Sequence, residues 1–339
     1  SHNHILWSRM PSYKKSMLDE LLERDKQIFE YWSHAAAYLP IKNFRYSLIR
    51  KKDYQKKYKE WCKANRKIIS FVYDRIRAEG ELQSKDFAHT GIRSSGWWDW
   101  KPAKEALDIL FHQGHLMIAR RKGFQKVYDL TERVLPGNID TTFPSPDEFY
   151  RYLISTAINS HGIISEKEIV YLRKYDKKLF RKVINEYLES RKILKVNVEG
   201  FRDENYYTLE NKIEISGRIK KLSQMHILSP FDNLVIQRKR LSNIFKYDYI
   251  LECYVPHHKR KFGYFCLPVL FGDKFIGKID AKADRKAKLF IVKNIFLEKK
   301  IKMSRSLMLS FEKQLIDFAK FTGCEKIAGY DPKNFSLPL

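Results

Sequence analysis

The side chains best placed to do chemistry in this sequence are cations set in short runs. Arg120-Arg121-Lys122 precede Gly123 at a turn. Lys177, Lys178, Arg181, Lys182 and Asn185 recur at the spacing of one outward helix face. His257-His258-Lys259-Arg260-Lys261 is the densest short basic run of the last third. Such groups suit a row of phosphates, because each ammonium or guanidinium that neutralises a phosphate releases a condensed counterion. A solvated face or turn is the competing reading for each run. The carboxylates that draw notice are Asp232, Glu252, Asp280 and Asp284, with Asp280, Lys282 and Asp284 on one strand face. Pairing with neighbouring Lys or Arg competes with a chemical role for them. His2 with His4, and His257 with His258, are too isolated to argue for a metal. The chain holds no phosphate-binding G-x-x-x-x-G-K-[ST], no H-E-x-x-H and no deaminase zinc pattern, so neither metal nor cofactor is expected.

The composition agrees with a polyanionic partner. The 339 residues carry 65 Lys plus Arg against 40 Asp plus Glu, a net charge of +25. Nucleic acid is expected ahead of anionic lipid. The excess sits at the two ends: +9 over residues 1–80 and +11 over 226–339, against +1 over 81–145 and +4 over 146–225. Hydrophobic residues at 44% and aromatics at 14% exclude global disorder. No apolar run reaches the length of a membrane span, and no secretory signal is visible. Cys62, Cys253, Cys266 and Cys324 form no C-x-x-C pair, which suits a reducing cytosol.

The elements that must carry these residues can be read from periodicity. Met17, Leu18, Leu21, Leu22, Ile28, Phe29 and Trp32 predict one helix closed by Pro40. A second helix, over about 42–60, interleaves Lys51, Lys52, Lys56, Lys57 and Lys59 with Tyr54 and Tyr58. Two similar units follow. From 63 to 136, a helix ends near Gly80, a second begins with Pro102 in its first turn and ends at Gly114, and two strands, His115–Ala119 and Phe124–Leu130, flank the basic turn. From 145 to 212, Ser145-Pro146-Asp147-Glu148 starts a helix ending near Gly162. Helices over about 165–173 and around Phe180–Leu188 come next, then strands Ile193–Val198 and Tyr206–Leu209. Gly80 to Tyr128 is 48 residues and Gly162 to Tyr207 is 45. Helices followed by a hairpin, twice at similar spacing, predict tandem winged helices. Wing-tip acids Glu199, Asp203 and Glu204 argue against the second hairpin as a phosphate contact, and Arg120, Arg121 and Lys122 argue for the first. In the second unit the helix bearing Lys178, Arg181 and Lys182 would enter a groove. The last third, Phe245–Tyr254, Phe262–Leu270, Lys274–Ala281 and Lys288–Leu297 between turns, predicts an antiparallel sheet or small barrel closed by a helix over about 304–321.

Several stretches carry a family resemblance: Glu30-Tyr31-Trp32-Ser33-His34 with Pro40; Ser95 through Pro102; Phe124 through Thr131; Ser229-Pro230-Phe231-Asp232 with Arg238-Lys239-Arg240; Leu251 through Tyr254; and Gly263-Tyr264-Phe265 through Gly277–Lys282. They are similar, in order and over nearly the whole chain, to winged-helix DNA glycosylases of the YcaQ/AlkZ type, including the AlkX branch. The resemblance implies tandem winged helices on a basic concave face with a β-barrel. It also implies metal-free hydrolysis of the base–sugar bond of bulky alkylated purines, and unhooking of interstrand crosslinks. His34, Asp232 and Asp280 are the residues it would place near a lesion.

The sequence also departs from that family. The family's catalytic Gln-x-Gln or Gln-x-Asp is absent, and Ala35 follows His34 where relatives carry Glu. Ser1 aligns just after the motif, so a truncated first winged helix is expected and no catalytic residue can be transferred. The resulting expectations are an α+β fold in four parts. These are residues 1–62 as the remainder of a first winged helix with connecting helices, winged helices at 63–136 and 145–212, and a barrel-like domain at 226–339. The function expected is a monofunctional DNA glycosylase, with this chain inactive if it is truncated, and a non-catalytic DNA-binding regulator is the alternative. The partner is double-stranded, damaged DNA and not a membrane, the protein a monomer of the bacterial cytosol and nucleoid.

Overall fold

The computed structural model describes residues 2–33, 35–87, 97–201, 204–216, 223–299 and 301–330. It is a mixed α+β chain in two compact units. One comprises Lys14–Ser155 and Leu172–Asn185. The other comprises Ser1–Tyr13, Thr156–Tyr171 and Glu186–Leu339.

In the first of these, the helix Lys15–Glu23 buries Leu18 and Leu22. It does not run on to Trp32 as the periodicity predicts. The chain leaves the helix at Arg24 and passes Lys26 at φ 47. An antiparallel hairpin of Ile28–Trp32 with Ala36–Pro40 follows, Ile28 facing Pro40. The run Ile-Phe-Glu-Tyr-Trp is β-branched and aromatic and fits a pleated surface better than a helix. Helix Phe44–Lys57, the short Lys59–Ala64 and helix Arg66–Glu79 follow, the last ending at Gly80 with φ 85. Helix Trp97–Gln113 starts earlier than expected, with Pro102 inside it. Proline's fixed φ is helical, but as the sixth residue of the helix Pro102 forfeits one N–H bond and its ring crowds the carbonyl of Trp98, four residues back. Strands Leu116–Lys122 and Gln125–Leu130 pair, and Leu82–Gln83 adds to the second, giving a three-stranded sheet. Phe29, Tyr31, Val72, Ile76, Leu107 and Leu116 lie in one core. Helix Pro146–His161 opens on a reciprocal cap. Ser145 Oγ accepts from the Glu148 N–H at 3.2 Å, and the Glu148 carboxylate accepts from the Ser145 N–H at 2.7 Å.

In the other unit, Ile163–Ser165, Tyr206–Thr208 and Leu194–Val196 form a second three-stranded sheet with the same strand order. The helix expected over 165–173 is only Glu166–Ile169. A five-stranded sheet curls through the last third. Its order is Lys326–Ala328, Leu289–Leu297, Lys274–Asp284, Leu267–Phe271 and Met225–Ile227, antiparallel except for the first pair. Helix Arg305–Thr322 lays Leu307, Phe311, Leu315 and Phe318 on it, at the i, i+4 and i, i+3 spacings of one helical face. Phe245–Tyr254 is not a strand. Helix Arg238–Phe245 ends at Lys246 with φ 52, and the chain beyond satisfies itself through side chains. Tyr247 and Tyr249 point inward and donate their hydroxyls to the carbonyls of Gly277 (2.8 Å) and Cys266 (2.6 Å). Their alternation mimics a strand pattern without a ladder. Against the same core, helix His2–Arg9 brings His4 and Trp7 onto Phe318 and Phe321. Ring centroids lie 4.6 Å apart for His4–Phe318 and 4.8 Å apart for Trp7–Phe321.

Candidate nucleic-acid interface

The first hairpin places its three cations in different settings. Arg121 donates from Nε and Nη2 to the Glu30 carboxylate at 2.7 and 2.5 Å, and from Nη1 to the Phe124 carbonyl at 2.8 Å. The Glu30 side chain is 2% exposed, so this is a buried ion pair rather than a surface one. Arg120 pairs with Glu81 at 2.5 Å. Lys122 projects from the strand end, and among the described residues it makes no ion pair. Beside it Phe124 is 93% exposed. The tip is therefore a stiffened turn that offers one ammonium and one aromatic ring.

Helix Lys177–Glu189 begins after Asp176, whose carboxylate accepts the N–H groups of Lys178 and Leu179 at 2.9 and 3.1 Å. Phe180, Val183, Ile184 and Tyr187 are buried, whereas Lys178, Arg181 and Lys182 are exposed. Lys182 lies 3.6 Å from Asp147. The face expected from spacing is thus the solvent face. On the second hairpin Asp203 falls outside the described residues, and Glu204 lies 3.8 Å from Lys167.

The loop 257–261 is anchored from below. His257, His258, Lys259 and Lys261 are exposed, and Arg260 is half-buried. Arg260 donates to the Val255 carbonyl at 2.8 Å and stacks on Tyr264 at 4.9 Å from the ring centroid. The Glu252 carboxylate accepts three successive amides, from Lys261 (2.9 Å), Phe262 (2.8 Å) and Gly263 (3.0 Å). Burial raises the pKa of Glu252, but the three amides and the Lys278 charge outweigh it and leave the carboxyl below its usual range. Gly263, at φ 143, sits on Asp280, where a Cβ would fall 2.3 Å from Oδ2. Asp280 itself lies at a bulge of the strand Lys274–Asp284 and is 6% exposed. Burial pushes its pKa up, with Lys293 opposing.

Of the remaining expected residues, Asp232 is wholly buried. It caps helix Asn233–Ile236 by accepting the Leu234 N–H at 2.8 Å, and it pairs with Arg9 through both carboxylate oxygens. His34 lies outside the described residues. The structure brings Glu252, the loop 257–261 and Asp280 together. The first hairpin and the helix Lys177–Glu189 each stand on their own local support. The reading from sequence gave no role to Phe124, or to Tyr254 and Tyr264, which are 83% and 55% exposed. An aromatic beside a basic run at a turn was the available signal, since stacked rings and cations together hold bases and phosphates.

The family model described as DNA glycosylase AlkZ-like matches residues 1–321. Among solved structures, Streptomyces sahachiroi DNA glycosylase AlkZ is similar to it at a TM-score of 0.58 and 14% identity. That likeness covers 95% of this chain and 84% of the other.

Proposed function

The chain belongs to the AlkZ-like DNA glycosylase family, and from that premise we propose that it excises bulky alkylated guanine from duplex DNA and unhooks interstrand crosslinks. The observation that carries the proposal is the family match over residues 1–321, on a chain with net charge +25. Guanine alkylated on a ring nitrogen is cationic and leaves readily. The protein's task is to hold the strand, place a water and stabilise the developing cationic sugar, which fixed polar or anionic groups do best in a site closed to bulk water.

In this reading each three-stranded sheet with its helices is a winged helix, and the curled sheet is the barrel-like support. Lys122, Lys178, Arg181, Lys182 and the loop His257–Lys261 contact phosphates. Arg120 and Arg121 fix the wing tip rather than touch the strand. Asp280 is the carboxylate assigned to the lesion side, and the enzyme is monofunctional, monomeric and cytosolic.

A second reading, DNA binding without catalysis, is favoured by one observation: no Gln-x-Gln or Gln-x-Asp occurs in the sequence. Release of free alkylated base from duplex DNA, followed by chromatography, separates the two. Released base supports the glycosylase. Tight, salt-dependent binding without release supports the second reading. Absence of duplex binding overturns both.

A further inference from the structure

Within the unit that holds the first hairpin is a cavity of about 340 Å³ that none of the expected contacts touches. Two arginines line it. Arg50 comes from helix Phe44–Lys57, and Arg173 from the segment just before helix Lys177–Glu189. Arg173 is half-buried. It donates to the Ser33 hydroxyl at 3.3 Å and lies 5.9 Å from the Phe149 ring centroid. Among the described residues neither arginine forms an ion pair with a carboxylate. Asp53, the one acid on the lining, is exposed and makes no ion pair with either. The two guanidinium charges act on each other instead: after burial, Arg50 is the next influence lowering the pKa of Arg173. Two like charges that share one cavity are unfavourable until an anion enters.

The rim is equally unusual. Leu172, next to Arg173, is 70% exposed and held at φ 56. A bulky residue in the left-handed region costs energy that the surrounding structure must hold in place, and such positions gather at ligand sites. Trp32, across the lining, is 40% exposed. The wall between is rigid, since Tyr46 and Tyr152 stack at 4.0 Å with planes 5° apart.

We infer that this cavity is a phosphate site for one nucleotide of a DNA strand, with Arg50 and Arg173 sharing the phosphodiester and Trp32 and Leu172 packing against the attached sugar and base. A planar guanidinium fork matches phosphate oxygens, and an exposed ring with an apolar neighbour suits a stacked base. The inference rests on the proposed DNA function and adds to it a specific positioning pair that charge runs in the sequence do not show.

The test is the salt dependence of duplex binding by the whole chain and by its Arg50→Gln, Arg173→Gln, double Arg50→Gln/Arg173→Gln and Arg50→Lys variants. One lost phosphate lowers the slope of log K against log salt by about 0.9. Each Gln variant is expected to show that loss, the double Gln variant no more than either single one, and Arg50→Lys to recover it. Thermal melting accompanies every variant. Relief of like-charge repulsion predicts melting unchanged or raised in the Gln variants, so a marked fall would overturn the like-charge account. If the wild type fails to bind duplex, the functional reading fails. If it binds and the variants keep the full slope, the site assignment fails. Titration with dGMP supplies the last arm: dGMP binding lost in the variants while the duplex slope is unchanged would make this a free-nucleotide pocket and overturn the strand assignment.

Discussion

Arg121 and Glu30 lie 91 residues apart in sequence and meet as a two-pronged ion pair at 2.7 and 2.5 Å, with Glu30 almost wholly buried. The pair ties the basic hairpin to the strand Ile28–Trp32. In the proposed reading Arg121 is the bolt that fixes the tip, and Lys122 beside it is the phosphate contact.

This separates two neighbours experimentally. Arg121→Ala leaves Glu30 buried and uncompensated, and is expected to destabilise the protein by about 3 kcal/mol in urea denaturation. Lys122→Ala should leave the denaturation midpoint unchanged. It should lower the salt slope of duplex binding by about 0.9, the share of one phosphate. Equal destabilisation by both substitutions would remove the distinction.

Lys51 is a buried cation with no hydrogen-bond partner at Nζ among the described residues, lying 3.7 Å from the Phe44 ring centroid and 5.1 Å from that of Tyr31. Burial pushes its pKa down to about 7. Because the folded value lies below the unfolded one, the unfolded chain binds more protons between about pH 7 and the ordinary lysine range, so stability rises with pH across that window. Lys51→Met should abolish that part of the rise, read as the difference in urea midpoint between pH 7 and pH 9. A parallel pH dependence in both proteins would contradict it.

Gly114 makes room for the same side chain. It sits at φ 86, and a Cβ there would fall 2.6 Å from Lys51 Cδ. Gly114→Ala is expected to cost at least about 1 kcal/mol from backbone strain alone. Combined with Lys51→Ala, which removes the side chain the new Cβ would meet, the added cost should be smaller than in the wild-type background, as a double-mutant cycle would show.

His4 gives an acid-side prediction. Its Nε2–H donates to the Ile227 carbonyl at 2.8 Å, and burial pushes its pKa down to about 4. The unfolded chain takes up a proton near pH 6.5 that the folded one refuses until about pH 4, so stability is lost as pH falls through that window. The loss is on the order of 3 kcal/mol. Denaturation at pH 7 and pH 4.5 should show it in the wild type and a much smaller loss in His4→Phe.

The loop 257–261 should depend on Glu252. Glu252→Gln removes the ionised acceptor of three amides and is expected to speed hydrogen exchange at Lys261, Phe262 and Gly263 without unfolding the sheet. Exchange unchanged at those amides would show that the loop is held by something else.

Much of the architecture could be read from residue order, because capping and turn chemistry are local. Ser145–Glu148, Gly80 and Gly114 act where they stand, and the closing helix is one clean apolar face. The misreadings share a cause: local patterns that long-range partners decide. Ile28–Trp32 fits helical spacing, but Ala36–Pro40 and Arg121 make it a strand with a buried acid. Tyr247 and Tyr249 alternate like a strand, but their hydroxyls meet carbonyls far along the chain. The candidate site was legible only as charge. Spacing finds Lys178, Arg181 and Lys182 on one face. It cannot tell that Arg120 and Arg121 are taken by Glu81 and Glu30, or that Arg50 and Arg173, 123 residues apart, line one cavity.

The most direct test of the whole account is a single-turnover assay on a duplex carrying one mustard-alkylated guanine, scored for abasic sites by alkaline strand cleavage. The predicted result is cleavage at the lesion position well above that of the protein-free lesion duplex, with none in the undamaged duplex. Abasic sites at the control level, on a lesion duplex shown to be bound, would contradict glycosylase action on this lesion.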